Sequence, residues 1–354
     1  MSDFYTLKVA EIRRETEDSV SVAFNIDDSQ KSAFSYKPGQ YLTLKLSING
    51  VEERRSYSLC SCPFEDELLR VAVKKVENGK VSTYINEKLK EGDLVEVMAP
   101  QGNFVLDVNE NNENLYVAFA AGSGITPIMS MVSSVLKKES KSRFVLFYGN
   151  KNAANTIFKS QLDGFQSDEI NVQYIFSREP GSDDLHSGRI DKEKANQLLK
   201  KNIDLLRAEG FFLCGPEEMI LNVTETLKEF GVNKDKIFYE LFTTPVLFAE
   251  NESAQKEESD FSGLAKVKVI CDDEEVEFEL AADGDVILDA AFEYDLDLPF
   301  SCKGGVCCTC KAKVVEGKVV MDANYALSDA EVEDGYVLTC QAHPASSNVV
   351  VDFD

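Results

Sequence analysis

Four cysteines near the carboxyl-terminal end have the side-chain type and the spacing to hold a metal cluster. Cys302, Cys307 and Cys310 follow the order Cys-x4-Cys-x2-Cys, and Cys340 lies further along the chain. This is the spacing of plant-type [2Fe–2S] ligation, in which four thiolates hold two irons. The glycines at positions 304 and 305 permit the close backbone path that turns N–H groups toward the sulfurs. The pattern therefore predicts a protein that moves single electrons.

Zinc and disulfide bonds are two other uses of grouped cysteines. Structural zinc sites favour paired short spacers on separate turns, whereas three of these cysteines share one loop. Disulfides need an oxidising compartment, but the first residues carry no basic or apolar leader, so the nine cysteines indicate a reducing cytoplasm. Cys308 lies between the ligands, and we expect it to be a small buried filler.

The segment from Gly122 to Pro127 lies between a predicted strand and a predicted helix. Its glycines let the backbone approach a pyrophosphate, and the helix N-terminus offers free N–H groups. It departs from a regular dinucleotide fingerprint, because Pro127 replaces the third glycine and no acidic residue ends the second strand. Taken alone, the segment fits both a nucleotide site and a simple tight turn.

Two earlier segments have groups that suit a flavin dinucleotide. In residues 54–59 an arginine stands beside a tyrosine and a serine, which can hold a diphosphate, cover a flavin ring and hydrogen-bond its reactive edge. In residues 79–83 glycine backbone and hydroxyl groups could bind the same phosphates. Each segment alone also fits a charged edge strand or a turn.

The composition describes a globular chain of two or three domains. It has 354 residues, 44% of them hydrophobic, and no apolar run approaches the length that spans a membrane. The net charge of −25 argues against binding to nucleic acid or to anionic membranes. Residues 265–354 alone carry 6 Lys, no Arg and 20 Asp plus Glu, a net charge of −14. This acidic end could attract a basic partner or could serve solubility alone.

The periodicity of apolar residues divides the chain into parts. Residues 1–108 show short alternating runs that predict an antiparallel β-barrel, and residues 109–247 alternate apolar strands with helices, which predicts a parallel sheet in an α/β domain. Residues 248–263 are polar and acidic, as in a linker. In residues 264–354 a hairpin, an amphipathic helix and the cysteine loop form an α+β unit that resembles the β-grasp fold. The strands predicted for the parallel sheet are 115–120, 144–148, 172–176, 210–214 and 237–241.

The motifs occur in the order found in ferredoxin–NADP reductase-like flavoproteins. The matching segments are Arg55-x-Tyr57-Ser58, Gly79-x-x-Ser82, Pro100-x-Gly102-x-Phe104, Gly122-x-Gly124-Ile125-Thr126-Pro127 and Cys214-Gly215-Pro216. With its carboxyl-terminal cysteine loop, the whole chain resembles the three-domain reductases that supply oxygenases with electrons. The loop itself is most similar to that of the reductase subunits of phenylacetyl-CoA epoxidases.

This resemblance implies a role for each matching residue. The residues that it assigns to FAD are Arg55, Lys74, Gly79, Val81 and Ser82, with Tyr57 against the flavin ring and Ser58 near its N5. Those that it assigns to the nicotinamide nucleotide are Gly122, Gly124, Gly215 and Pro216, with Thr126 beside the nicotinamide. Cys214 is expected to line the hydride-transfer pocket, with Glu240 and Phe242 near the other side of the flavin. The implied catalytic residues are Tyr57, Ser58, Thr126, Cys214 and Glu240, although Cys214 also fits a buried, inert thiol.

Ser177 and Arg178, which close the third predicted parallel strand, bear on the choice of nucleotide. A hydroxyl and a guanidinium suit an adenosine 2′-phosphate, whereas a carboxylate there would repel it. The resemblance gives this pair the same role, and Arg189 could assist. Lys151 stands where many relatives have arginine and cannot form a bidentate contact. NADPH is therefore the expected donor, with NADH as the alternative.

The expectation is a cytoplasmic reductase that passes electrons from NADPH through FAD and [2Fe–2S] to an oxygenase component. By resemblance this partner is the diiron component of a phenylacetyl-CoA epoxidase, and it would dock at the acidic ferredoxin domain. The partner could instead be another oxygenase, such as a Rieske-type dioxygenase, or a hybrid-cluster protein. An alternative of a different class is a non-catalytic redox-sensing cluster protein. Neither nucleic-acid binding nor membrane insertion is expected.

Overall fold

A computed structural model describes residues 4–165, 169–243, 246, 260–272, 274–294 and 296–354 of the chain. Each of the three predicted parts contains its own sheet and its own apolar core. Within the described residues, no helix has both the length and the apolar character needed to cross a membrane. Residues 248–259 of the predicted linker lie outside the described residues. The domain boundaries at residues 108, 247 and 263 stay predictions.

The first part is an antiparallel barrel, as predicted. Its strands are β1 (Phe4–Thr16), β2 (Ser19–Asn25), β3 (Tyr41–Ile48), β4 (Val51–Ser58), β5 (Leu69–Lys74) and β6 (Leu94–Met98), and its helix is α1 (Lys80–Glu87). The sheet order is β4-β3-β6-β1-β2-β5. A bridge between Leu59 and Val71 joins the end of β4 to β5 and so closes the sheet. Val81 and Ile85 of α1 pack into the barrel core.

The second part is a five-stranded parallel sheet with helices on both faces. Its strands are β7 (Leu115–Ala121), β8 (Arg143–Asn150), β9 (Ile170–Phe176), β10 (Gly210–Cys214) and β11 (Ile237–Glu240), in the order β11-β10-β7-β8-β9. Its helices are α2 (Ile125–Lys138), α3 (Lys159–Gly164), α4 (Lys192–Lys201) and α5 (Glu217–Glu229). The strands bury apolar side chains on both faces, because α2 and α3 pack on one core while α4 and α5 pack on the other. All five predicted strands are confirmed, with ends that differ by at most two residues.

The third part is an α+β unit with a mixed sheet. Its strands are β12 (Leu264–Cys271), β13 (Glu274–Ala281), β14 (Lys311–Glu316), β15 (Val319–Met321), β16 (Tyr336–Leu338), β17 (Ala342–Pro344) and β18 (Asn348–Asp352). Its helices are α6 (Ile287–Phe292) and α7 (Asp329–Glu333). The main sheet has the order β13-β12-β18-β14-β16, and β12 and β18 are parallel. The predicted hairpin is confirmed as β12 and β13, and the apolar side of α6 packs on the core of this unit.

Candidate functional site

The cysteine loop brings the four predicted ligands together between α6 and β14. The Cys307 and Cys302 sulfurs lie 3.1 Å apart, and Cys340 contacts both Cys302 and Cys310 through its thiol. Gly304 donates its backbone N–H to Cys302 Sγ at 3.4 Å. The thiols thus form a chain of contacts from 307 through 302 and 340 to 310. Such an arrangement suits two irons held by two ligands each.

The electrostatics of the loop favour a thiolate at Cys302, the most exposed of the four predicted ligands. Hydrogen bonds from the Cys307 thiol, from the Cys340 thiol and from the backbone lower the pKa of Cys302. Three ligands on one loop with a distant fourth fit a binuclear cluster better than the paired short spacers of a structural zinc site. Cys308, the expected filler, is buried and lies 3.4 Å from the Ala326 carbonyl oxygen.

A cavity of about 480 Å³ lies between the barrel, the end of the parallel sheet and the cysteine loop. Arg55 and Ser58 line it from β4, and Cys302 and Cys307 line it from the loop. The Tyr57 ring packs, partly buried, against the barrel core. The structure thus brings two of the three flavin-binding residues predicted on β4, Arg55 and Ser58, to the same cavity as two predicted cluster ligands, whereas Tyr57 does not line it.

A serine, a glutamate and a cysteine meet where the barrel joins the parallel sheet. Ser58 Oγ donates to Glu240 Oε2 at 3.0 Å, and Cys214 pairs with Glu240 in the register of β10 and β11. Burial raises the pKa of Glu240 to about 8, although the Ser58 hydrogen bond opposes this shift. Burial, and secondarily the Glu240 charge, raises the pKa of the Cys214 thiol well above its ordinary value. At neutral pH Glu240 therefore carries a proton and Cys214 is an uncharged thiol.

The residues predicted to hold the FAD diphosphate lie at the start of α1. Gly79 caps the helix, and Ser82 Oγ accepts the Val76 backbone N–H at 3.2 Å. The Val81 side chain is in the barrel core, which leaves its backbone N–H, in the first helical turn, as the group that can bind an anion. Lys74, at the end of β5, lines a different cavity and lies 3.7 Å from an Asp18 carboxylate oxygen.

The glycine-rich loop packs against the end of the neighbouring strand. A Cβ atom at Gly124 would lie 2.0 Å from the Cys214 carbonyl oxygen, so only glycine allows this approach. Gly122 has a φ of +55° and faces open space on its side-chain side. Thr126 is buried in the first turn of α2, with its hydroxyl donated to the Ser123 carbonyl oxygen at 3.1 Å. The loop thus offers backbone, rather than the Thr126 hydroxyl, to a ligand in the cavity beside it.

That second cavity, of about 630 Å³, lies at the carboxyl ends of the parallel strands. Its walls include Gly122, Ser177, Arg178, Gly215, Pro216 and Phe242 from the predicted set, together with Lys151 and Arg189. Carboxyl ends of parallel strands are the usual place for nucleotides in this class of sheet. Phe242 lines both cavities, so it lies where they meet.

Three basic side chains of this cavity are exposed to solvent. Among the described residues, no carboxylate forms an ion pair with Lys151, Arg178 or Arg189. Asp191, also in the wall, caps α4 by accepting the Lys194 N–H. In a chain with a net charge of −25, three exposed cations around one cavity favour an anionic ligand such as a phosphate.

The sequence patterns did not reveal a set of contacts between the barrel and the cysteine loop. The barrel side chains in these contacts are Tyr41, Thr43, Arg54 and Ser56. Two of them fall within the segment predicted to bind flavin, but nothing local to the sequence indicates that they reach another domain. A contact between residues more than 240 positions apart leaves no periodic signal.

Three families of known proteins match successive parts of the chain. The oxidoreductase FAD-binding domain matches residues 6–106, the oxidoreductase NAD-binding domain matches residues 119–225, and the 2Fe-2S iron-sulfur cluster binding domain matches residues 269–345. These matches confirm the predicted FAD, nicotinamide nucleotide and [2Fe–2S] cluster.

Similar proteins and structures extend over the full length of the chain. The chain is 40% identical to a 1,2-phenylacetyl-CoA epoxidase subunit of Escherichia coli (strain K12), covering 100% of this chain and 99% of that protein. It is 28% identical to the 3-ketosteroid-9-alpha-monooxygenase ferredoxin reductase component of Rhodococcus rhodochrous, over 98% and 96%. Phthalate dioxygenase reductase shares the fold, with a TM-score of 0.61 and 22% identity over 99% of this chain and 98% of that one.

Proposed function

The chain belongs to the family of NAD(P)H-dependent oxygenase reductases with FAD-binding, NAD-binding and [2Fe–2S] domains, and we propose that its acceptor is the oxygenase component of a phenylacetyl-CoA epoxidase. The 40% identity over the full length to a subunit of such an enzyme supports this acceptor. The observation that carries the electron route is the 480 Å³ cavity that Arg55 and Ser58 share with Cys302 and Cys307. A flavin held there would face the cluster ligands directly.

In this proposal the barrel binds FAD. Arg55 and Ser58 line the cavity, and Tyr57 lies between them on β4. The diphosphate would bind at the start of α1, where Gly79 leaves the first N–H groups of the helix free. FAD, when bound, supplies the change from the paired electrons of a nicotinamide to the single electrons of a cluster.

The residues at the sheet end have two tasks in the proposal. Glu240 keeps a proton on its carboxyl at neutral pH beside the Ser58 hydroxyl, so this pair can exchange a proton at the edge of the flavin. Phe242 lines both cavities and would lie where the nicotinamide meets the flavin, while the buried Cys214 and Thr126 belong to the end of β10 and the start of α2. Cys214 contributes as an uncharged, fully buried group, because its thiol does not ionise.

The larger cavity would bind the rest of the nucleotide. Gly122, Gly215 and Pro216 line it and would present backbone to the pyrophosphate, while Gly124 lets the loop pack on the Cys214 carbonyl. Ser177 and Arg178 follow β9 directly, and we propose that they bind the 2′-phosphate of NADPH. The exposed charge of Arg178 supports NADPH over NADH as the donor.

The cluster would be held by two pairs of thiolates, Cys302 with Cys307 and Cys310 with Cys340. The oxygenase component would then dock on the ferredoxin domain, whose net charge of −14 suits a basic surface on the partner. By similarity to the epoxidase, we propose a diiron partner that acts with this chain in the cytoplasm.

An anaerobic titration of the purified protein tests the electron route. We expect a yellow-brown protein with about one flavin and two irons per chain, as the two cofactor domains require. NADPH should bleach both the flavin and the cluster absorbance, and failure to bleach with either NADPH or NADH would contradict the proposal. Adding the purified oxygenase component and phenylacetyl-CoA then tests the acceptor, since turnover should require this chain, NADPH and oxygen together.

A further inference from the structure

A buried tyrosine of the barrel contacts the backbone of the cysteine loop. Tyr41 Oη accepts the Cys308 N–H at 3.0 Å and lies 3.1 Å from Thr309 Oγ1. Tyr41 is only 5% exposed and Thr309 is 2% exposed, so these contacts are shielded from bulk water. Leaving a buried donor without a partner is costly, which makes this contact a fixed part of the structure.

Further hydroxyl groups extend this contact along the loop. Thr43 Oγ1 lies 3.5 Å from Thr309 Oγ1 and 3.1 Å from Ser56 Oγ. Ser56 in turn donates to Ser301 Oγ at 2.8 Å. Ser301 precedes the first predicted ligand and Thr309 precedes the third, so the network reaches both ends of the ligand run. Ser56 belongs to β4, and the network therefore connects the proposed flavin-binding strand to the cluster loop.

An arginine on the same strand holds the segment before the loop. Arg54, 6% exposed, donates to the Leu298 carbonyl oxygen at 3.2 Å and to Asp297 Oδ1 at 3.0 Å. Its guanidinium also lies 4.3 Å from the centre of the Phe300 ring and 4.9 Å from that of Phe4. These contacts use the planar, forked geometry that lysine lacks.

We propose that Tyr41 and Arg54 are positioning residues that hold the cluster loop against β4, so that the cluster accepts electrons from the flavin with the two domains docked. The inference rests on the proposed function: NAD(P)H supplies two electrons to the flavin, and the oxidised cluster takes them one at a time. Tyr41 Oη also fixes the backbone between the ligands Cys307 and Cys310, because it accepts the Cys308 N–H, and the path of this backbone sets which N–H groups can reach the sulfurs. Hydrogen bonds to the sulfurs are among the factors that set the reduction potential of such clusters.

The first test compares Tyr41→Phe with Tyr36→Phe in the holoprotein. Tyr36 is a matched control because it is a partly buried tyrosine on the barrel core whose hydroxyl lies 2.8 Å from Ser61 Oγ, away from the loop. Stopped-flow absorbance should show flavin reduction by NADPH unchanged and subsequent cluster reduction slowed about tenfold in Tyr41→Phe alone. The electron paramagnetic resonance spectrum of the dithionite-reduced cluster should change in Tyr41→Phe and stay unchanged in Tyr36→Phe.

A second pair of variants separates the docking of the cluster loop on β4 from the effect of Tyr41 on the cluster itself. Arg54→Lys keeps the charge but loses the fork, and should slow cluster reduction without altering the dithionite-reduced spectrum. Arg13→Lys, at an exposed ion pair with Glu11, is its control. If Arg54→Lys or a folded Tyr41→Phe, with full flavin and iron content, reduces its cluster as fast as the unchanged chain, the docking role is wrong.

The outcomes also separate this inference from the proposed function. If neither nucleotide reduces the unchanged chain, the proposed electron route fails. The dithionite-reduced spectrum still tests Tyr41 in that case, because dithionite bypasses the flavin, and an unchanged spectrum in Tyr41→Phe would overturn its role at the cluster.

Discussion

Replacing Arg178 by alanine tests the proposed preference of the chain for NADPH over NADH. The side chain is exposed at the 630 Å³ cavity and, among the described residues, pairs with no carboxylate, so its charge is available to a phosphate. A charge-assisted hydrogen bond contributes about 1.5–3 kcal/mol, which corresponds to roughly ten- to a hundredfold in affinity. Lys151 and Arg189 remain in the variant, and the loss should therefore lie near the lower end, about tenfold.

Steady-state reduction of ferricyanide with each nucleotide measures this loss. In Arg178→Ala the KM for NADPH should rise about tenfold with kcat unchanged, because the 2′-phosphate is remote from the reacting atoms. The KM for NADH should stay the same, since NADH lacks that phosphate. Arg143→Ala is the control, because Arg143 is an exposed arginine at the opposite end of the neighbouring strand β8. Equal increases in both KM values would refute the reasoning and would assign Arg178 to the shared pyrophosphate.

Two further predictions concern the cluster and the buried glutamate. Cys340→Ser should remove the iron and its absorbance while flavin content and ferricyanide reduction persist, because the barrel and the parallel sheet have their own cores. If the flavin absorbance is lost together with the iron, the division into independent modules is wrong. Folding raises the pKa of Glu240 from 4.5 to about 8. Between these two pH values the folded chain keeps a proton that the unfolded chain has lost, so the free energy of unfolding falls by about 1.4 kcal/mol for each pH unit. Glu240→Gln removes this loss, and urea unfolding should show the variant more stable than the unchanged chain at about pH 9 but not at about pH 5.

The sequence predicted best those elements that are buried on both sides. The central strands of the parallel sheet, β7, β8 and β10, are mostly buried apolar runs, and their ends could be placed within two residues. The short alternating runs that predict the barrel, 20–26, 41–48, 69–76 and 94–99, do not include β1, because Lys8, Glu11 and Arg13 interrupt its apolar residues and much of it faces solvent. β15, β16 and β17 have three residues each, which is too short for any periodicity.

For the candidate site, local motifs predicted the groups but not which groups meet. The turns after β7, β9 and β10 all end at one edge of the sheet, so Gly122, Arg178 and Gly215 could be expected at one cavity. The meeting of Ser58 with Glu240 and of Tyr41 with Cys308 depends on how the domains pack. No pattern within a single domain encodes such packing.

The separation of 267 residues between Tyr41 and Cys308 has a consequence for how the protein matures. During synthesis the barrel leaves the ribosome and can fold long before the cysteine loop exists. In the structure, with the loop docked on the barrel, three of the four predicted ligand thiols are buried and Cys302 is partly accessible. Cys302 and Cys307 still line the cavity beside the barrel, whereas Cys310 and Cys340 are 2% and 4% exposed. We therefore expect iron and sulfide to enter most readily before the loop docks on the barrel, so that cluster insertion precedes domain docking during maturation.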